Sequence, residues 1–404
     1  MTGPVVIAGA SLAGLRAAQA LRNAGHEGPV VVVGEEEHLP YTRPPLSKEL
    51  LAGEQEPEQC ALPSGRVPDI EWRLGTAATG LDTGARELIL ADGERLAYDK
   101  LVIATGARPR HWPGDPIALD GVHTLRSVDD ALALRAAFES GPRLVVVGAG
   151  FIGCEVAATA RGRGLDVTLI DVAPHPVPAL GEAVGARVAE LHRSRGVDLR
   201  LHTSVDGFEG DGRLEAVRLA DGTRLDADVA VVALGAIPNT DWLVESGLEL
   251  QPGVVCDATL AARDAEHVFA AGDAAAWPHP MADGGVIRIE HWTNAAEQGA
   301  AAARNLLAAP ADRTPYEAVP YFWTDQYDLK VQSVGLPARA ERTTVLEQDG
   351  ERLVLGGERE GRLIAAIAFN APRRLPFYRG QLATMPPMED VAAAVRADAK
   401  ALGA

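Results

Sequence analysis

Cysteine is scarce in this 404-residue chain, and basic residues are outnumbered by acidic ones. The three cysteines, Cys60, Cys154 and Cys256, stand far apart and form no C-x-x-C pair, which fits a reducing compartment and removes a dithiol redox centre from consideration. A formal net charge of -18 argues against nucleic acid or an anionic membrane surface as the main partner, because both need clustered Lys and Arg. No stretch approaches the roughly 18 apolar residues of a membrane span. The opening MTGPVVIAGASLAGL has neither the charged leader nor the clean apolar run of a signal peptide, so a cytoplasmic protein is expected. No metal site is read from the sequence.

What the chain does have is size and glycine. Its length exceeds what one hydrophobic core usually supports, so two or three domains are expected, with room to enclose a large cofactor. Its 42 glycines gather in short loops rather than in a low-complexity tract, which predicts a chain folded throughout.

An internal echo places those loops. PVVIAGASLAGLRAAQAL near the start and RLVVVGAGFIGCEVAATA from Arg143 share an apolar strand, a Gly-rich turn and an Ala-rich helix. Each is followed by a second apolar strand, Val30 to Val33 and Val167 to Ile170, and then by an acid, Glu35 or Asp171. That pattern begins a parallel, doubly wound α/β sheet, twice. In ELILADGERLAYDKLVIATGA, Asp92-Gly93 is a hairpin turn signal. HVFAAGDAAA, around Gly272 and Asp273, suggests a return to the first domain. From about Tyr316 alternating strands and a final Ala-rich helix read as a separate α+β domain.

In Gly148-Ala-Gly150-Phe151-Ile152-Gly153 the first Gly permits the tight turn, the second lets a pyrophosphate approach the backbone, and the third lets helix and strand pack, with the phosphates on the helix N-terminus. Asp171, 23 positions past the first Gly, would accept from the adenosine ribose and repel a 2′-phosphate; the next residues bring no arginine, which favours NADH over NADPH. The first copy, Gly9-Ala-Ser11-Leu-Ala13-Gly14, has serine at the middle position. A small hydroxyl can still donate to a phosphate, so this copy too is read as a nucleotide turn, with Glu35 at a workable spacing.

GASLAG, PYTRPPLSKELL from Pro40, ATGARP from Ala104, GAGFIGCE, VFAAGD, RIEHWTNAAEQG from Arg288 and YFWTDQYDLKVQSVG from Tyr321 together resemble the FAD-dependent ferredoxin reductases that serve bacterial cytochrome monooxygenases and aromatic-ring dioxygenases. The resemblance covers nearly the whole chain and implies a glutathione reductase-like fold: two Rossmann-like dinucleotide-binding domains plus a C-terminal α+β domain. It places a discontinuous FAD-binding domain at 1–110 and 237–315, an NAD-binding domain at 111–236 and the C-terminal domain at 316–404.

The resemblance also implies roles. Arg43, Pro45 and Lys48 would line the flavin, Arg43 near the pyrophosphate and Lys48 near the ring's N5 edge, where a cation stabilises the reduced ring. Glu155 would face the nicotinamide and pair with Lys48, although a Glu in a first helical turn is also simply favourable with the helix dipole. Asp273 would hold the ribityl chain beside Gly272. Ala104, Thr105 and Gly106 would lie near the FAD, and Trp292 would stack near flavin and nicotinamide. Ala78, Arg126 and Gly235 complete the expected cofactor contacts.

The expected activity is hydride transfer from NADH to FAD, followed by single-electron transfer to an iron-sulfur ferredoxin, of [2Fe-2S] type, that feeds an oxygenase. The protein is expected as a monomer or weak homodimer. A disulfide reductase would need a redox cysteine in RPPLSKELL, which has none. An NADH-responsive signalling flavoprotein, or a reductase of rubredoxin, is the other reading. Because ferredoxins of this kind are acidic, Arg66, Arg73, Arg288, Arg373 and Arg374 are candidates for a basic docking patch.

Overall fold

The strand, glycine turn and helix recur twice in a computed structural model of the chain, which describes residues 3–64, 69–113 and 119–401. Its contacts gather into two units, one of residues 1–42, 60–108 and 237–320, the other of 43–59, 109–236 and 321–404.

The first unit is built on a six-stranded sheet in the order Ala261–Ala262, Ala265–Ala270, Lys100–Ile103, Val5–Ala8, Val30–Val33, Ile70–Arg73. All neighbours but the first pair are parallel. Its central strands are fully apolar, VVIA, VVVV and the LVI of KLVI, as expected where both faces are covered. Helix Leu12–Asn23 packs against helix Trp292–Leu307. The approach is close because residue 299 is glycine; a Cβ there would lie 2.2 Å from the Ala13 carbonyl oxygen. The expected hairpin joins Glu87–Leu90 to Arg95–Ala97, with Gly93 at φ +87 and Asp92 accepting from the Glu94 amide at 2.9 Å.

The second unit carries a five-stranded, wholly parallel sheet in the order Asp198–Arg200, Asp166–Ile170, Arg143–Val147, Val229–Val232, Val122–His123. Val145, Val147 and Ile170 on it share a core with Val217 and Leu219 of a three-stranded antiparallel sheet. The C-terminal part is a five-stranded antiparallel sheet, Tyr321–Gln326, Leu329–Gly335, Arg362–Phe369, Arg352–Arg359, Arg342–Asp349, followed by helices Leu375–Leu382 and Met388–Ala401. Its first strand packs on helix Phe151–Gly162, with the rings of Phe151 and Phe322 4.9 Å apart. Segment 43–59 belongs to this unit because its polar groups are spent there: Thr159 donates to the Ser47 carbonyl at 2.8 Å and Arg163 to that of Leu51 at 3.2 Å.

Candidate functional site

Both Gly-rich turns obey the same steric constraints at their ends. Gly9 sits at φ +123 and Gly148 at +106. A Cβ on Gly9 would lie 2.1 Å from the Ala104 carbonyl oxygen, and one on Gly148 2.3 Å from that of Ala233. Glycine is therefore demanded twice over, by backbone conformation and by the crossing strand. At the third positions, a Cβ on Gly14 would lie 1.9 Å from the Gly9 oxygen and one on Gly153 1.8 Å from that of Gly148.

The middle positions differ. Gly150 has φ -73, and a Cβ there would meet nothing within 4 Å. Ser11 occupies the matching place with an extended backbone, φ -114. Neither packing nor conformation asks for glycine here, so the room at Gly150 faces something other than protein. Both residues are N-caps that supply no side-chain hydrogen bond to their helix. The first-turn amides of Leu12–Asn23 and Phe151–Gly162 lack intrahelical acceptors and, with the helix dipoles, form two donor sites suited to an anion. A dinucleotide pyrophosphate fits each.

Of the expected contacts around the first turn, Ala13 is buried beneath helix Trp292–Leu307, close to Gly272, where an added Cβ would lie 3.2 Å from its own Cβ. Gly272 donates to Gln298 at 2.9 Å, and Asp273 is buried in the same turn. The Thr105 hydroxyl donates to the Asn239 carbonyl at 2.8 Å, and the Asn239 amide returns a bond to the Thr105 carbonyl at 3.0 Å; Gly106 has φ +68. Trp292 opens its helix half-buried and donates through Nε1 to the Thr42 hydroxyl at 3.1 Å. Glu35 is exposed beyond Val30–Val33, and Ala78 is half-buried at the start of Ala78–Asp82.

In the second unit the Asp171 carboxylate accepts from the Ala149 amide at 2.6 Å and the Ala173 amide at 2.8 Å. The acid expected to meet the ribose also ties the glycine turn to the strand end. Beside it opens a cavity of about 780 Å³ lined by His175, Glu182, Arg193, Arg200 and His202, among others. No arginine stands among the residues immediately after Asp171, yet the fold brings Arg193 and Arg200 to this end, with Arg200 held by Asp198 at 2.8 Å. Ile152 is 43% exposed, and Gly235, at φ +89, accepts from the Arg110 amide at 2.8 Å. Arg43 donates to the Arg126 carbonyl at 2.6 Å.

Lys48 and Glu155 meet. Lys48 follows the 3-10 turn Pro44–Ser47, which contains Pro45, and its Nζ donates to Glu155 Oε2 at 2.8 Å and to the Pro44 carbonyl at 3.0 Å. Glu155 is only 4% exposed. It also accepts from Ser47 Oγ at 2.5 Å on Oε2 and from Thr324 Oγ1 at 2.6 Å on Oε1. A carboxylate this deep is tolerated because three donors replace its water. Sequence reading missed Ser47 and Thr324. The signal for Thr324 was available: in strand Tyr321–Gln326 exposure alternates, and Thr324 and Gln326 are polar residues at inward positions.

All three cysteines are buried. Burial pushes the Cys154 thiol well above its ordinary range and that of Cys256 to about 12, so neither is a nucleophile at neutral pH. Three of the arginines named as docking candidates have acidic partners. Arg73 pairs with Glu71 and Glu94, Arg288 with Glu290 and Arg374 with Glu347; Arg373 is exposed, and Arg66 lies outside the described residues. Among the described residues no helix is long and apolar enough to cross a membrane.

Residues 3–299 match the family model described as pyridine nucleotide-disulphide oxidoreductase, and residues 321–402 match one described as reductase C-terminal. The chain is 39% identical over 380 residues to the ferredoxin--NAD(+) reductase component of a biphenyl dioxygenase system from Paraburkholderia xenovorans, covering 92% of this chain and 91% of that one. It is 38% identical over 346 residues to rhodocoxin reductase of Rhodococcus erythropolis, covering 84% and 80%. Its fold matches the solved structure of a covalent putidaredoxin reductase-putidaredoxin complex with a TM-score of 0.91 and 33% identity, covering 99% of each chain.

Proposed function

The chain belongs to the pyridine nucleotide-disulphide oxidoreductase family, and on that premise we propose that it is an NADH-dependent, FAD-containing ferredoxin reductase. When bound, FAD takes the hydride of NADH and releases the two electrons one at a time. The observation that carries this reading is the pairing of two nucleotide turns with inert thiols. A family member whose cysteines at 60, 154 and 256 are all buried and form no disulfide has no dithiol to pass electrons through, which favours their leaving to an external acceptor.

The residues divide the work. The first turn, with Ser11, Gly14 and the amides of Leu12–Asn23, holds the FAD pyrophosphate, and Arg43 adds a cation for it. The Gly272–Ala274 turn, with Asp273, holds the ribityl chain. Gly150 leaves room for the NADH pyrophosphate against Phe151 and Ile152, and Asp171 accepts from the adenosine ribose while disfavouring a 2′-phosphate. Lys48 supplies positive charge where the ring becomes electron-rich; Glu155 fixes that ammonium and receives the carboxamide. Trp292 excludes water from the ring face. None of these groups must gain or lose a proton for the hydride to move; they position the reactants and set the field. The acceptor is a ferredoxin serving an oxygenase, a reading supported by the names of the biphenyl dioxygenase and putidaredoxin relatives; its [2Fe-2S] type is what the sequence resemblance implies.

An anaerobic NADH titration followed in the visible spectrum tests the reading. The flavin should bleach with NADH and regain its colour on each addition of oxidised [2Fe-2S] ferredoxin. A reduced form that persists with ferredoxin present would overturn the reading.

A further inference from the structure

The donors around Glu155 belong to a longer buried chain that starts in the C-terminal sheet. Thr324 and Gln326, two residues apart on strand Tyr321–Gln326, both point inward and are both 0% exposed. Gln326 Nε2 lies 3.4 Å from Thr324 Oγ1, and its Oε1 lies 3.0 Å from His192 Nε2. His192 Nδ1 in turn lies 3.5 Å from the Tyr327 hydroxyl.

The polarity of this chain follows from its ends. Gln326 Oε1 only accepts, so His192 Nε2 carries the proton, and Nδ1 is left to accept from Tyr327. Burial lowers the affinity of His192 for a second proton, which suits that neutral tautomer. With its oxygen committed to His192, the Gln326 amide turns its NH2 toward Thr324, whose hydroxyl then has one direction left for its own proton, toward Glu155 Oε1. Every bond from Tyr327 to Thr324 is thereby oriented at the carboxylate, while Ser47 and Lys48 fill its other oxygen.

We propose that Thr324, oriented by Gln326, is a positioning residue for hydride transfer: the C-terminal sheet holds the Glu155 carboxylate, and through it the Lys48 ammonium, in the orientation the reaction uses. This rests on the ferredoxin-reductase reading above. Without the Thr324 donor, Oε1 of a buried carboxylate has lost its partner and the group must rotate to find another, taking Lys48 with it.

The test is Thr324→Val, close in shape and lacking the donor, beside Thr324→Ser, which restores it. In stopped-flow reduction of the holoenzyme by NADH, Thr324→Val should lower the limiting rate about tenfold with a smaller rise in the apparent NADH Kd, since Glu155 also receives the carboxamide, and Thr324→Ser should stay within about twofold of the parent in both. A readout independent of turnover is competitive acetylation of Lys48, one of four lysines in the chain, quantified by peptide mass. Thr324→Val should raise its labelling severalfold and Thr324→Ser should not. An unchanged limiting rate and unchanged labelling in folded Thr324→Val would overturn the inference. Should that variant fail to fold, Gln326→Met carries the same comparison, with a smaller fall in rate and rise in labelling expected and no change in either overturning it. If the parent itself is not reduced by NADH, the functional reading fails, while the labelling arm still decides whether Thr324 holds the Lys48–Glu155 pair.

Discussion

The two glycine turns differ in sequence at their centres, serine in one and glycine in the other, but in the fold they are equally well made at their ends. Their outer glycines are fixed by the chain itself: carbonyl oxygens stand where the Cβ atoms would be, at 2.1 and 2.3 Å for the first pair and 1.9 and 1.8 Å for the second. The middle residue is under no such demand, with open space beside Gly150 and an ordinary extended backbone at Ser11. A motif that looks like one signature thus carries two kinds of information. Its ends encode how helix meets strand, and its centre encodes what approaches from outside. A serine at the centre is a statement about the ligand and leaves the fold untouched.

The largest effects should come from breaking the ends. Gly14→Ala and Gly153→Ala each drive a methyl into a backbone carbonyl, which cannot step aside as a flexible side chain could. Each should cost about 3 kcal/mol or more, visible as a fall in the thermal midpoint or loss of folded protein on expression. Equal damage in the two copies is the expected result. A tolerated alanine at either would mean that helix and strand can separate there.

Next comes the centre of the second copy. Gly150→Ser should leave the thermal midpoint within about a degree, since a Cβ there meets nothing within 4 Å, yet raise the NADH Kd about tenfold, roughly 1.4 kcal/mol. Unchanged NADH binding would remove the ligand from the explanation of that open space.

A smaller effect, of pH, is common to the two units. His291 in the first is held to about 4, mainly by burial against a weaker opposing pull from Asp273; His192 in the second is lowered by burial despite its bond to Gln326. Both fold with pKa values below the unfolded value near 6.5. The unfolded chain therefore binds more protons below that pH, and their contribution, fully present above it, is lost as pH falls from about 6.5 toward 4. The thermal midpoint should drop by a few degrees between pH 7.5 and 5.5, and His291→Gln should flatten that drop. An unchanged acid limb in His291→Gln would shift the effect to other groups.

How much of this was legible follows from range. The paired turns, the parallel sheets and the hairpin at Asp92-Gly93 declare themselves through local apolar runs and glycine, because the forces that make them act within a few residues. Lys48 and Glu155 were reached through resemblance and the fold brings them to 2.8 Å. Ser47 and Thr324 were not found: strand alternation marks Thr324 as an inward polar residue, but the carboxylate it donates to lies 169 positions away. The partners of the docking arginines were equally out of reach: a basic residue in sequence says nothing of the acid that will pair with it, as Glu347 pairs with Arg374 at 2.8 Å. The arginines beside Asp171 were invisible in turn, since Arg193 and Arg200 come from other elements that line the same cavity.

The finest test returns to Ser11, where the contributions of hydroxyl and backbone can be pulled apart. Ser11→Ala removes the hydroxyl and keeps a restricted backbone; Ser11→Gly removes both, at an added cost of about 0.5 kcal/mol for the freedom the unfolded chain gains. If the hydroxyl donates to a phosphate oxygen, both variants should release FAD two- to threefold more readily, measured by equilibrium dialysis of the flavin, and only Ser11→Gly should also lose a degree of thermal midpoint in the flavin-free protein. If instead Ser11→Gly binds FAD more tightly than the parent, the serine is an obstacle the first turn tolerates, and the two turns would be alike at their centres as well as at their ends.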